Sequence, residues 1–313
     1  MYFMKKHFIY ILTLLILTIS LIGSIHQKND KTDLEKVNLS SDVKRVKTFE
    51  NVIVKDRELV EELVLDYEYN SNGNLIRELH YSDSNLVFEI DYEYENEYLV
   101  RSKKIDKKFG MNSSSSFTNN KDGYPVETIL EFEKLSSTKL LSKYDHNNYL
   151  KSQKIINGND TSNIVYTNIY YPNNKIRSIE KIQKKGRKFL SALTKYKYDD
   201  EGRISEMLIE IDNSSAVDRK LIIYKYHSNG KAESITEFKN SKLDLVTYFD
   251  IHGNEIEIKT YQNASISKWE KFKYSYDDKG NWIEKYFLKM DVGKGDDKLK
   301  KYLKHRREIE YKG

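Results

Sequence analysis

The stretch Tyr274-Ser275-Tyr276-Asp277-Asp278-Lys279-Gly280-Asn281-Trp282 decides how this chain is read. Two tyrosines separated by one polar residue put both rings on the same side of an extended strand. The strand runs into Asp-Asp-Lys-Gly-Asn, where Asp and Asn cap turn amides and Gly takes a positive φ without steric cost. A second strand then returns, so the unit is a β-hairpin. The same string recurs at Tyr67-Glu68-Tyr69-Asn70-Ser71-Asn72-Gly73-Asn74-Leu75, at Tyr196–Ile204 and at Tyr224–Ala232. A shorter copy is Phe249-Asp250-Ile251-His252-Gly253-Asn254, and weaker ones turn at Glu95-Asn96-Glu97, Lys121-Asp122-Gly123, His146-Asn147-Asn148 and Pro172-Asn173-Asn174. The Gly or its equivalent falls at 73, 97, 123, 148, 174, 202, 230, 253 and 280, always 23–28 residues from the last. So regular a marker is an internal repeat.

Within one copy, Leu63, Leu65, Tyr67 and Tyr69 alternate with Asp66, Glu68 and Asn70, as a strand with one buried face requires. A second set of turn signals lies midway between the markers, at Ser82–Asn85, Asn157–Asp160, Lys185-Gly186, Asp212–Ser215 and Lys239–Ser241. The chain therefore reverses about every dozen residues, with no helical segment between hairpins. Residues 43–66 add a leading hairpin, or a helix over 56–65. The fold expected is all-β: an antiparallel meander of about nine tandem Tyr-rich hairpins over 43–313. A sheet that wide must twist and curl, so a curled open sheet or shell is expected, with atypical end copies as caps.

Composition agrees. The chain holds 25 Tyr in 313 residues, and Tyr suits half-buried strand surfaces. Basic and acidic residues, 53 and 48, are interleaved and leave a net charge of only +5. That pattern gives a solvated surface and excludes the concentrated basic face of a nucleic-acid binder. No cysteine is present, which removes disulfides, thiolate metal sites and cysteine nucleophiles.

Lys5, Lys6 and His7 precede an apolar run from Phe8 to about Ile25. A basic start followed by an apolar stretch is an export signal. Residues 1–25 are read as a signal peptide or as an N-terminal membrane anchor, a hydrophobic helix preceding the sheet. Residues 26–42 are polar and aperiodic, a linker. The remainder is expected in the periplasm, at the cell surface or secreted, touching a membrane only through residues 8–25 if they are retained.

The Tyr-x-Tyr-Asp-x-x-Gly-Asn pattern, fullest at 274–281, resembles the YD repeat of RHS-type secreted bacterial proteins over about 60–290. The segment Tyr170-Tyr171-Pro172-Asn173-Asn174-Lys175-Ile176 is similar, less closely, to MORN-type antitoxin repeats. The RHS resemblance implies a β-sheet shell; it departs from that pattern because no toxin-sized region follows residue 290. Together the two resemblances imply, as one function, an immunity or accessory partner of a secreted toxin.

Chemistry is sparse. No nucleophile elbow, zinc-protease helix motif, phosphate loop or dinucleotide fingerprint occurs. The seven histidines are scattered, and His227 and His252 stand at turn positions. Asp199-Asp200 and Asp277-Asp278 belong to turns; Asp291–Asp297 is a loop and a weak calcium candidate. The basic run Lys298, Lys300, Lys301, Lys304, His305, Arg306, Arg307 reads as a charged edge strand. No catalytic, cofactor or metal residues are assigned. The candidate binding surface is the aromatic stripe Tyr69, Tyr94, Tyr144, Tyr170, Tyr198, Tyr226 and Tyr276 with Trp282. The leading expectation is a non-catalytic exported scaffold for a protein or glycan partner; a hydrolase with an unrecognised site is the remaining alternative.

Overall fold

A computed structural model describes residues 32–313, apart from 54–58, 134, 186–187, 213–216 and 291–299. The export segment, the start of the linker, the Asp291–Asp297 loop and two of the midway turns lie outside the described residues. Twenty strands form one sheet, from β1 (Val43–Ile53) to β20 (Lys300–Tyr311). Each strand pairs antiparallel with its neighbours in sequence, and β1 pairs with β20 along Val46↔Ile309, Thr48↔Arg307 and Glu50↔His305. The sheet is therefore a closed barrel.

Closure corrects the expectation of a curled open sheet of about nine hairpins. The repeat count concealed it because β1 and β20, the two strands that meet, lie outside the nine marked hairpins, the first of which begins with β2 (Leu59–Tyr69). The strand at 59–69 also removes the alternative helix over 56–65. β20 is no edge strand, since β19 (Trp282–Met290) and β1 cover both its sides. Among the described residues the helix present is the single turn α1 (Asp33–Lys36), and no helix is long and apolar enough to cross a membrane.

The physical cause of curling is visible in the ladder. At every marked turn the register slips by one residue beside the strand's last aromatic or its equivalent: Glu68/Tyr69, Glu93/Tyr94, Thr118/Asn119, Lys143/Tyr144, Ile169/Tyr170, Lys197/Tyr198, Lys225/Tyr226, Tyr248/Phe249 and Ser275/Tyr276. A β-bulge bends its strand and increases local twist. Register also shifts toward the opposite rim, at His80/Tyr81, Glu237/Phe238 and Thr260/Tyr261, but the marked rim is bulged in every repeat, and the bends accumulate until the ends of the sheet meet.

Except at Asn96-Glu97, a tight turn on the marked rim, the two rims use different turns. At the marked rim, the N–H of the Gly or Asn donates to the first turn residue's carbonyl, as from Gly253 to Asp250 at 2.9 Å. Where the first residue is Asp or Asn, its side chain accepts two turn amides: Asp250 Oδ1 takes those of His252 and Asn254, each at 2.9 Å. All nine marker positions have positive φ, including Gly73 (81°), Gly280 (80°), Asn148 (62°), Asn174 (63°) and Glu97 (70°). At the opposite rim, Asp83-Ser84, Asn240-Ser241 and Asn263-Ala264 have positive φ at both residues, the tight two-residue hairpin turn.

The barrel's inner face is the buried one. On β10 (Asp160–Tyr170), Ile164 and Tyr166 are 2% and 4% exposed, whereas Val165 and Ile169, pointing outward, are 51% and 49% exposed. Leu140, Ile155, Ile164, Tyr166, Ile179, Tyr196, Met207 and Ile222 form one inner cluster. The outer face carries ion pairs across neighbouring strands, such as Lys197–Glu206 (2.7 Å) and Lys195–Glu210 (3.3 Å), and one from β20 over β1 to β2, Arg306–Glu61 (2.8 Å).

Residues 32–42, within the segment read as a linker, lie on the marked rim. Thr32 caps α1, accepting the Glu35 amide while the Glu35 carboxylate accepts that of Thr32. Leu34 is fully buried beside Gly73, and Leu39 packs with Val43, Val46 and Tyr69. Asn38 then donates to the Gly253 carbonyl, and Asn281 accepts the Ser40 amide.

Gly253→Ala is expected to cost about 1–2 kcal/mol, because Ala is strained at that φ and its Cβ would lie 3.1 Å from the Asn38 amide. Asn148→Gly should be neutral or mildly stabilising. Urea denaturation of both variants checks the pair.

Candidate functional site

The aromatic stripe proposed from sequence sits on the marked rim, one ring per repeat. Most of its hydroxyls reach back to the preceding hairpin. Those of Tyr144, Tyr198 and Tyr226 donate to the Pro125, Ile176 and Ile204 carbonyls at 3.0, 2.8 and 2.6 Å. Each acceptor opens a return strand, where the bulge interrupts the ladder. The Tyr170 and Tyr276 hydroxyls donate instead to the Asp145 and Asp250 carboxylates, the first residues of the preceding turns. Tyr94 faces a turn that begins with Asn70, and bonds to Asp33 of α1 at 3.2 Å. Tyr311 repeats the arrangement on β20, donating to Asp277. Tyr69 is 5% exposed within the cluster under α1. Trp282 lies edge-on to Tyr274 and below Arg307. The stripe is thus a chain of links between successive repeats.

A separate group of polar residues faces the lumen around the β1–β20 seam. On β3 (Leu75–Ser82), Glu78 accepts from the Tyr92 hydroxyl at 2.6 Å and lies 3.0 Å from His80 Nε2. Burial pushes the Glu78 carboxyl up, but these two partners outweigh it and hold it below its ordinary value. The His80 ring stacks on Phe88 with centroids 4.1 Å apart. On the other side of Tyr67, Lys285, His305 and Arg307 share the inner face of β19 and β20, where Lys285 pairs in register with His305. The guanidinium carbon of Arg307 stands 3.5 Å from the centre of the Trp282 ring. Its Nε and Nη1, like His305 Nε2, are buried and have no hydrogen-bond partner among the described residues. Burial draws Arg307 down to about 10 and lowers Lys285 and His305 as well.

Sequence reasoning missed this group. His80 and His305 are 225 positions apart in the chain, and only closure brings β20 and β3 to the two sides of the β1–β2 hairpin. The basic run at 298–307 was read as one surface, but strand alternation divides it. Arg306 points out to Glu61 and Glu308, whereas His305 and Arg307 point in. Period-2 parity with Ile309 and Tyr311 was the available signal. No group of three or more acidic or histidine ligands suited to a metal ion occurs among the described residues. An open depression lies elsewhere, away from this group, along Ser113–Ser116 beside Arg101 and Lys103.

No protein-family model and no curated protein matches the chain. Solved structures do. A porin-like protein from Bacteroides uniformis aligns with 86% of this chain and 98% of its own, at 10% identity and a TM-score of 0.36. A porin-like protein from Bacteroides vulgatus aligns over the same shares at 15% identity and a TM-score of 0.32. The TcdB2-TccC3-TEV structure aligns with 79% of this chain at 12% identity and a TM-score of 0.31; the chain spans 16% of its length.

The links between repeats predict graded losses. Tyr226→Phe, which loses a bond to a neutral carbonyl, should cost about 1 kcal/mol, and Tyr170→Phe, which loses one to a carboxylate, about 1.5–3 kcal/mol. Burial raises the Asp145 and Asp277 carboxyls, yet their tyrosine, asparagine and turn-amide donors leave both below the ordinary value. A depressed carboxyl stabilises the fold above its unfolded value, about 3.9, and that contribution is lost as pH falls through the folded value. Asp145→Asn should flatten the acid limb of the stability profile below about pH 4, measured by thermal melting across pH.

Proposed function

We propose that this chain is a non-catalytic, exported binding barrel whose recognition chemistry lies on the inner wall, with a glycan or another small envelope component as its ligand. The supporting observation is the Arg307 guanidinium, buried over Trp282 with no hydrogen-bond partner among the described residues, on the inner face beside Lys285 and His305. Natural folds tolerate few buried polar groups without partners, and such groups concentrate at binding sites. The hydroxyls of most of the aromatic stripe are already engaged within the fold, which moves the expected contact surface inward. An envelope or secreted location rests on the basic and apolar pattern of residues 5–25.

A second reading, a membrane-spanning channel, is favoured by an even number of antiparallel strands in a closed barrel. Its weakness is the outer wall. Such a channel presents an apolar band to lipid, whereas here Lys195, Lys197, Glu206, Glu210 and Arg219 point outward as ion pairs.

Two measurements separate the readings. Thermal melting of the purified chain against glycans and soluble envelope fragments should reveal a ligand that raises Tm, and planar-bilayer recording should show no conductance. Stable unitary currents, or a full panel without stabilisation, would count against the binding barrel.

A further inference from the structure

The β1–β20 seam gathers positive charge on the inside of the barrel. Lys285 on β19 is directly opposite His305 on β20, and Arg307 follows on the same face. The nearest in-register carboxylate is Glu50, whose oxygen lies 4.0 Å from His305 Nε2, beyond hydrogen-bond reach. Lys285 contacts rings: its ammonium lies 4.3 Å from the Phe272 centroid and 5.6 Å from that of Tyr274. Arg307 lies over the Trp282 ring, with Tyr67, Tyr69 and Tyr274 close enough to influence its charge. Burying cations without acceptors is costly. A guanidinium held on an aromatic face is fixed in orientation, so little freedom is lost when its N–H groups meet an acceptor.

We infer that Arg307, Lys285 and His305 form a lumenal site for an oxyanion, a carboxylate or phosphate group carried by the ligand. Arg307 supplies N–H donors for charge-assisted bonds, the strongest kind available to a neutral or anionic acceptor. Lys285 adds a mobile point charge from the adjacent strand. Trp282, Tyr274 and Tyr69 wall the group and exclude water. Glu50 lies beside His305, and Glu255 and Glu270 act on Lys285, so Arg307 is the cation of the set without a carboxylate beside it. The inference deepens the binding-barrel reading and rests on it.

The chain has two tryptophans. Trp269 donates to Glu257 among Lys259 and Lys271, on the outer face, so Trp269→Phe leaves Trp282 as the sole reporter beneath Arg307. The full chain with this substitution is titrated with inorganic phosphate and with benzoate, against potassium chloride at matched ionic strength. The expected result is a saturable change in Trp282 emission with phosphate, benzoate or both, absent with chloride and at least about tenfold weaker in Arg307→Gln, the scale of one lost charge-assisted hydrogen bond. Response to one probe alone assigns the oxyanion to that class. If Arg307→Gln does not fold by circular dichroism, Lys285→Met in the same background takes its place, with weakened binding expected. No saturable change with either probe, or one unaltered by the substitution, would overturn the site. A chain that ignores both oxyanions yet is stabilised by a neutral glycan retains the binding-barrel reading and loses this inference.

Discussion

The bond from a tyrosine hydroxyl to the preceding hairpin holds this barrel together. Each hairpin alone is a two-stranded ribbon, marginal in water. Backbone ladders join neighbours but leave the rim, where every repeat is bulged, without regular pairing. Tyr144, Tyr198 and Tyr226 supply partners to carbonyls there, and Tyr170, Tyr276 and Tyr311 bind the carboxylates that organise the turns. One side chain thus buries a ring, satisfies a rim acceptor and ties two repeats together. This use of Tyr explains how a chain with mean hydropathy of −0.73 and no cysteine can sustain a twenty-stranded sheet.

The same links shape the seam. Tyr311 binds Asp277, and Asn281 donates to Tyr311 and to Ser40. The Lys312 amide reaches the Asp42 carbonyl at 2.7 Å. Residues before β1, those after β20 and the last marked turn are therefore joined at one corner. α1 completes the scheme at the first turn, where Asp33 accepts both the Tyr94 hydroxyl and the Leu75 amide.

Much of the local structure was legible in the sequence. The nine turn markers all have positive φ, and Asp and Asn cap turns as their chemistry requires. Closure was not legible. It depends on the accumulated bend of many bulges and on pairing between segments more than 250 residues apart, such as Val46 with Ile309. Periodicity describes what one strand does and is silent on which strand meets the first. The lumenal cations were hidden for the same reason. In sequence His305 and Arg307 belong to a run that reads as a charged edge strand and Lys285 stands out in no pattern; the ring places all three inward. Residues 32–42 are polar in composition, yet buried Leu34 and Leu39, with the hydrogen bonds of Asn38 and Ser40, hold them on the rim.

Closure is the claim on which the inner wall and its chemistry depend, and the absence of native cysteine makes it directly measurable. Lys47 on β1 is in register with Glu308 on β20. With Lys47→Cys and Glu308→Cys combined, mild oxidation of the full chain should yield an intramolecular disulfide, seen as loss of alkylation at both thiols without dimer formation. Two thiols that stay alkylatable in the folded chain would show β1 and β20 to be apart, and the barrel to be an open sheet.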